Sequence, residues 1–181
     1  LKQPLKMHDV PGVVVGDIGC YIMAAQRAGQ YGYQLENCMG SGIAAAAGLG
    51  QLKAYGFDQP VVTVVGDSTF FHTSIPALVS AKYHNANMLL LVLDNSATAM
   101  TGFQPHPGTG LTAMGRHVDP IDIKALITAI GCRVWEADPF QLGETRAMVS
   151  ELLQETGLKA LILKQPCATL RAKTKKKEKV W

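Results

Sequence analysis

Long hydrophobic runs are missing from this 181-residue chain: the longest, Met88 to Leu93, is six residues. That is far below the ~20 needed to cross a bilayer, so no membrane-spanning helix is expected. The opening LKQPLKMHDV has no apolar core and reads as no secretory leader. It also lacks a Met start, and the chain is expected to be a fragment, a processed product or a cloned domain. Paired cysteines are missing too. Cys20, Cys38, Cys132 and Cys167 stand far apart with no CxxC, which excludes a zinc ribbon or an iron–sulfur run by spacing. They read as reduced thiols of a cytoplasmic protein. Aromatics make up 7% of the residues and none interleave with basic ones, so a base-stacking nucleic-acid surface is excluded. The net charge of +3 is a tail rather than a face. Between Arg171 and Lys179 six basic and one acidic residue carry +5, leaving the rest of the chain at −2. This end reads as a solvated linker or tail.

What is present fits one α/β domain over residues 1–170, followed by a basic tail over 171–181. Val61–Val65 breaks at Gly66-Asp67-Ser68, and Met88–Leu93 breaks at Asp94-Asn95. Both runs lack polar alternation, as strands buried on both faces of a parallel sheet do. Thr73 to His84 reads as the helix between them, capped by Thr73 or Ser74, with Pro76 in its first turn. Ile75, Leu78, Val79 and Tyr83 fall on its apolar face. A strand–helix–strand crossover starts both strands at one edge. Asp67 and Asn95 therefore finish together at the carboxyl edge, roughly 5 Å apart if the strands are neighbours. Ligands of open α/β sheets bind there. A carboxylate plus an amide oxygen is a sparse, all-oxygen set that suits Mg²⁺.

Gly66-Asp67-Ser68 followed by Asp94-Asn95 resembles the GDG…NN signature of thiamine diphosphate enzymes. The continuation Thr98-Ala99-Met100-Thr101-Gly102 and Gln104-Pro105-His106-Pro107-Gly108-Thr109-Gly110 is more specific. It is similar to the α subunit of indolepyruvate:ferredoxin oxidoreductase, within the 2-oxoacid:ferredoxin oxidoreductases. The resemblance runs from about Gly16 to Cys167. It departs at Ser68, where thiamine enzymes have Gly, and at Phe103, where this family is expected to have His. It implies a doubly wound, mostly parallel sheet of the thiamine diphosphate-binding type. It also implies metal ligation by Asp67, Asn95 and the Ala97 carbonyl. The cofactor-binding set it implies around the two strand ends is Gly66, Asp67, Ser68, Thr69, Asn95 and Ala97. Gly19 and Cys20 in the Gly16-Asp17-Ile18-Gly19-Cys20 loop, Gly40, and Ala99, Met100 and Thr101 complete that set.

The reaction implied is oxidative decarboxylation of an aryl 2-oxoacid, indolepyruvate-like, to an acyl-CoA with electrons passed to ferredoxin. Iron–sulfur clusters are then expected on another segment or partner. Thiamine enzymes activate the aminopyrimidine with a Glu from a second domain, and no such module is read here. The chain is thus expected to supply the diphosphate half of a site within an oligomer, another chain or domain supplying the pyrimidine half. The alternative is the small subunit of a non-oxidative decarboxylase, sulfopyruvate decarboxylase-like. A nicotinamide-binding domain is disfavoured because no G-x-G-x-x-G follows a strand.

The other segments read as follows. Val13–Val15 is a strand, after which Asp17 is a turn former or a polar contact. Residues 24 to 36 are a loop whose Tyr31 and Tyr33 are candidates for a substrate entrance. A helix follows, capped by Ser41 and closed by Gly56, and the N–H groups from Gly40 to Gly42 at its start favour a phosphate. Ser96 to Arg116 is too rich in Gly, Pro and Thr for regular structure, and a loop of that length is often functional. His72, at the entry to the crossover helix, is the catalytic candidate as a proton donor, with polar packing the alternative. His106 is held between two prolines. A helix from Ile121 to Ile130, a strand from Cys132 to Trp135, a helix from Phe140 to Glu155 and a strand from Ala160 to Leu163 complete the alternation.

Overall fold

A computed structural model describes residues 12–23 and 33–172 of the chain. Tyr31 and the tail beyond residue 172 lie outside the described residues. Five strands, β1 (Val13–Val15), β2 (Val61–Gly66), β3 (Met88–Asp94), β4 (Arg133–Ala137) and β5 (Leu158–Lys164), form one sheet. Their order is β1-β2-β3-β5-β4, and every neighbouring pair is parallel. The helices that pack on the sheet include α1 (Ser41–Leu49), α2 (Ile75–Tyr83), α3 (Ile123–Ala129) and α4 (Leu142–Gln154). No helix among the described residues is long and apolar enough to cross a membrane.

The apolar runs serve two cores because successive side chains leave opposite faces of a strand. Val61, Val65, Leu90, Val92, Ala160 and Ile162 meet α1, α2 and α3 through Ile43, Leu78 and Ile127. Val62, Leu89 and Leu161 meet α4 through Leu152. Helices therefore cover both faces, as a doubly wound sheet requires.

The crossover helix departs from the expected boundaries. Helical backbone begins at Asp67 itself, Asp67–Thr69 forming the first turn, and a π-turn over Phe70–Ser74 leads into α2. Pro76 explains the wide turn, since it has no N–H for a carbonyl four residues back and its ring clashes with that carbonyl. The Ser74 hydroxyl takes up the slack, donating to the Thr69 carbonyl at 3.2 Å. The buried stripe is Ser74, Leu78 and Ala81, while Val79 and Tyr83 are 49% and 80% exposed. The sequence pattern puts those two on the core face; the stripe that meets the sheet instead follows Ser74, Leu78 and Ala81 at i, i+4 and i+7, which leaves them outward. Similarly, α1 ends at Leu49, a separate 3₁₀ turn covers Leu52–Tyr55, and only then does Gly56 turn at φ 88°. Gly50 is the reason: a Cβ there would stand 2.7 Å from the Asn87 carbonyl oxygen, so the chain breaks where helix meets strand start.

The amino edge buries a lysine. Lys159 is 2% exposed on β5, opposite Leu89 and Arg133. Its Nζ donates to the Glu155 carbonyl and, at 3.4 Å, to Asn87 Oδ1. Burial, then the Arg133 guanidinium, lowers its pKa from 10.5 to about 8. Between those values the unfolded chain binds the extra proton, so stability rises with pH. Cys132 acts oppositely, because burial raises its thiol from 9.0 to about 11 and the folded state keeps a proton there. Urea unfolding should therefore show stability climbing by about 1 kcal/mol from pH 8 to 9 and levelling above that. A Lys159→Met variant should lose the climb. An unchanged climb in that variant would contradict the assignment.

Candidate cofactor and metal site

The carboxyl edge gathers Asp17, Asp67 and Asp94, one at the end of each of the first three strands. Gly66 pairs with Leu93 across β2 and β3, so the two polar breaks meet as the spacing requires. Asp67 is 1% exposed. Its Oδ1 accepts from Ser68 N at 2.7 Å and its Oδ2 from Asn95 N at 3.0 Å. The Asn95 amide oxygen accepts from Ala97 N at 3.0 Å, folding the loop so that Ala97 is buried at 3% exposure. The Thr98 hydroxyl then donates to Ser68 Oγ at 2.9 Å, tying the loop back to the β2 turn.

Asp94 brings a second carboxyl to the same place. Burial, and after it the Asp67 carboxylate alongside, raises the Asp94 pKa above the ordinary carboxylate range. Lys164 Nζ stands 3.8 Å from Asp94 Oδ2, at the far limit of an ion pair. Among the described residues, two carboxyls facing each other with one distant cation leave the edge short of positive charge.

His106 closes this edge. It is 8% exposed, its Nδ1 accepts from Gly108 N at 3.2 Å, and its ring lies 5.5 Å from that of Phe71. Nε2 stands 3.1 Å from Asp67 Oδ2, yet off the line of its N–H, so it makes no hydrogen bond. A cavity of about 190 Å³ opens beside it, bounded by Asp94, His106, Ile162 and Lys164 but not by Asp67 or Asn95. The enclosed volume thus lies on the β5 side of the carboxyl pair.

The rest of the expected site is spread around that centre. Gly19 and Cys20 form the turn after β1, with Cys20 exposed. They connect to the centre through Tyr21, whose oxygen accepts from Gly66 N at 3.3 Å. A Cβ on Gly19 would stand 2.4 Å from the Tyr21 ring, so only glycine admits the ring there. Burial pushes the Tyr21 phenol well above its ordinary pKa, and Asp17 adds to this, so it remains a neutral donor. Sequence reasoning misses Tyr21, because its partner lies 45 positions away. Tyr33 packs its ring within 2.7 Å of where a Gly16 Cβ would be. Thr69 is 3% exposed beside the Tyr21 hydroxyl. Ala99, Met100 and Thr101 form a turn closed by Thr98 N on Gln104 O at 3.0 Å, with Met100 47% exposed. Phe103 leaves that turn at φ 67°, a strained region for a large residue. His72 is exposed on the π-turn.

The start of α1 corrects one expectation. Asp17, 0% exposed, accepts from Gly40 N at 2.7 Å and Gly42 N at 3.0 Å. Those N–H groups are therefore not free for a phosphate, and Ser41 is not the cap: its hydroxyl donates to the Cys38 carbonyl. An ionised carboxylate outcompetes a hydroxyl at the positive end of a helix. Gly40 itself, at φ 90°, presses on the π-turn, since a Cβ there would stand 1.8 Å from Thr73 Oγ1.

The residues fit a divalent cation carrying a diphosphate. Among the described residues no three His, Cys, Asp or Glu side chains converge as a ready cage. Asp67, the Asn95 amide and the Ala97 carbonyl would offer a sparse oxygen set of the kind that Mg²⁺ completes with phosphate and water. The excess carboxyl charge at Asp67 and Asp94 is what such an ion offsets.

Residues 17–162 match the family model described as thiamine pyrophosphate enzyme, C-terminal TPP binding domain. The chain is 33% identical over 163 residues to indolepyruvate oxidoreductase subunit IorA of Archaeoglobus fulgidus, covering 90% of this chain and 25% of that protein. It is 36% identical over 152 residues to the same subunit of Methanothermobacter thermautotrophicus, covering 83% and 24%. The chain thus spans about a quarter of the length of these relatives. The solved structure of a 2-oxoglutarate:ferredoxin oxidoreductase from Magnetococcus marinus superposes with a TM-score of 0.73 at 19% identity, covering 87% of this chain and 55% of that one. A parallel sheet with Gly66-Asp67 and Asp94-Asn95 at adjoining strand ends, matched over nearly its whole length, makes this chain a member of the thiamine pyrophosphate enzyme family, corresponding to its C-terminal cofactor-binding domain.

Proposed function

We propose that this chain supplies the diphosphate- and Mg²⁺-binding half of an aryl 2-oxoacid oxidoreductase, which acts on an indolepyruvate-like substrate, forms an acyl-CoA and passes electrons to ferredoxin. The observation that carries it is the buried Asp67 carboxylate bonded to the Asn95 backbone, beside a second carboxyl at Asp94. The likeness to the IorA subunits supports the substrate class. When bound, thiamine diphosphate supplies the carbanion chemistry that removes carbon dioxide from a 2-oxoacid. The protein's part is orientation and charge. Asp67, the Asn95 amide and the Ala97 carbonyl hold the metal. The Gly66–Thr69 turn and the phenol of Tyr21 bound the place where the diphosphate lies, and Gly19 and Cys20 approach the cofactor. Ala99, Met100 and Thr101 cover it, and His72, exposed at the entry to the crossover helix, is the proton donor. Iron–sulfur clusters and the group that activates the pyrimidine belong to another segment or chain, within an oligomer.

The test is an assay with indolepyruvate, thiamine diphosphate, Mg²⁺, coenzyme A and an electron acceptor. The native assembly containing this chain should form aryl-acetyl-CoA. The purified chain alone should bind the cofactor only with Mg²⁺ present and give no turnover. Aldehyde in place of acyl-CoA would transfer the chain to the non-oxidative decarboxylases, and Mg²⁺-independent binding would end the metal assignment.

A further inference from the structure

We infer that His106 is a positioning residue for the metal site: its Nε2–H stands within hydrogen-bond distance of Asp67 Oδ2 and, once aligned, fixes the carboxylate that holds the cation. The inference rests on the metal assignment above and adds to it a residue outside the ligand set. Three observations carry it. The ring is oriented from the far side, because Nδ1 accepts from Gly108 N at 3.2 Å. An accepting Nδ1 carries no proton, which assigns the proton of the neutral ring to Nε2. The loop around it is locked. The His106 carbonyl accepts from Thr109 Oγ1 at 2.8 Å and Thr109 N at 2.9 Å, and His106 N donates to Thr109 Oγ1 at 3.3 Å. Gly108 lets Phe71 close on the other side, since a Cβ there would stand 2.8 Å from the Phe71 ring. Finally, Nε2 is buried without a hydrogen bond, and the acceptor beside it is Asp67 Oδ2 at 3.1 Å.

A buried donor left unmade is rare in a native fold and calls for an explanation. Here the packing already brings it within hydrogen-bond distance of one carboxylate oxygen and lacks only alignment. Groups that orient a ligand from behind in this way are known to tune metal affinity by 10–100-fold. A purely structural histidine would serve the Pro107–Thr109 turn through Nδ1 alone, and that half of the ring is separable by substitution. An Asn side chain places its oxygen near Nδ1 and reaches no further. A Gln side chain places its amide near Nε2.

The experiment titrates Mn²⁺ into the intact native protein at saturating thiamine diphosphate, reading free Mn²⁺ by electron paramagnetic resonance. Thermal unfolding of the metal-free protein is measured in parallel. His106→Asn should lower the midpoint less than His106→Gln and yet raise the Mn²⁺ Kd about tenfold or more. His106→Gln should lower the midpoint and hold the Kd within about threefold of wild type. In an Asp67→Asn background, adding His106→Asn should leave the Kd where Asp67→Asn put it, as a shared interaction demands. Wild-type affinity in His106→Asn, or losses of affinity that simply follow losses of midpoint, would overturn the inference. So would a further tenfold loss in the double variant. Wild-type protein that binds no Mn²⁺ would overturn the metal assignment itself, whatever the variants show.

Discussion

Asp67→Ala should abolish retention of thiamine diphosphate in the presence of Mg²⁺, with the cofactor Kd rising at least about 100-fold. Partners that merely orient a metal ligand account for up to about 100-fold in affinity, so the ligand itself should account for no less. Asp67 is also the only proposed ligand with a full negative charge; Asn95 and Ala97 offer neutral oxygens. Its removal has a structural cost that must be separated from the binding effect. Ser68 N and Asn95 N both donate to it, and leaving them unmade should lower stability by about 1–3 kcal/mol. Asp67→Asn sharpens the separation, because an amide offers one acceptor oxygen where the site needs two. Calorimetric titration at fixed Mg²⁺ measures the affinity, and urea unfolding of the cofactor-free protein measures the fold. Wild-type affinity in a folded Asp67→Ala variant would contradict the assignment.

Asp17→Ala should cost the fold as much as truncating a large core side chain. The side chain is 0% exposed and accepts from three backbone N–H groups, those of Ile18 and Gly40 at 2.7 Å and of Gly42 at 3.0 Å. It joins the end of β1 to the start of α1 at a place closed to solvent. Three donors, the helix cap among them, orphaned at the lower end of about 1–3 kcal/mol each give an expected loss on the order of 3–5 kcal/mol. For a domain of this size that is a fall in Tm of roughly 6–20 °C. Asp17→Asn should lie between the two, since one of its two oxygens remains. A fall under about 2 °C for Asp17→Ala by thermal unfolding would show that the helix start is satisfied some other way.

Local pattern governs part of this molecule, and that part is legible in the amino-acid sequence alone. Buried parallel strands have no polar face, so Met88–Leu93 and Val61–Val65, the latter broken only by the β-branched Thr63, announce themselves as apolar runs. The crossover rule then brings Asp67 and Asn95 to one edge. What is not legible depends on long-range partners. Asp17 looks like a turn residue until Gly40 and Gly42, 23 and 25 positions on, are seen to converge on it. Tyr21 lacks any periodic signal because its role is set by Gly66. Pro76 marks a helix start in the linear pattern. In three dimensions the helix begins nine residues earlier at Asp67 and accommodates the proline with a π-turn, and the buried stripe passes through Ser74 and Ala81, small residues that periodicity overlooks in favour of Val79 and Tyr83. His106 is noticeable between two prolines, but its contact with Asp67 follows from the path of a twenty-residue loop that no periodicity predicts.

The most direct measurement is a crystal structure grown with thiamine diphosphate and Mn²⁺ in place of Mg²⁺, with the anomalous signal locating the ion. The ion should be coordinated by an oxygen of Asp67, by the Asn95 amide oxygen and by the Ala97 carbonyl, with phosphate oxygens completing the shell at close to the 2.0–2.1 Å typical of Mg²⁺. An ion elsewhere on the sheet, or a diphosphate bound with the Asp67 carboxylate untouched, would contradict the account.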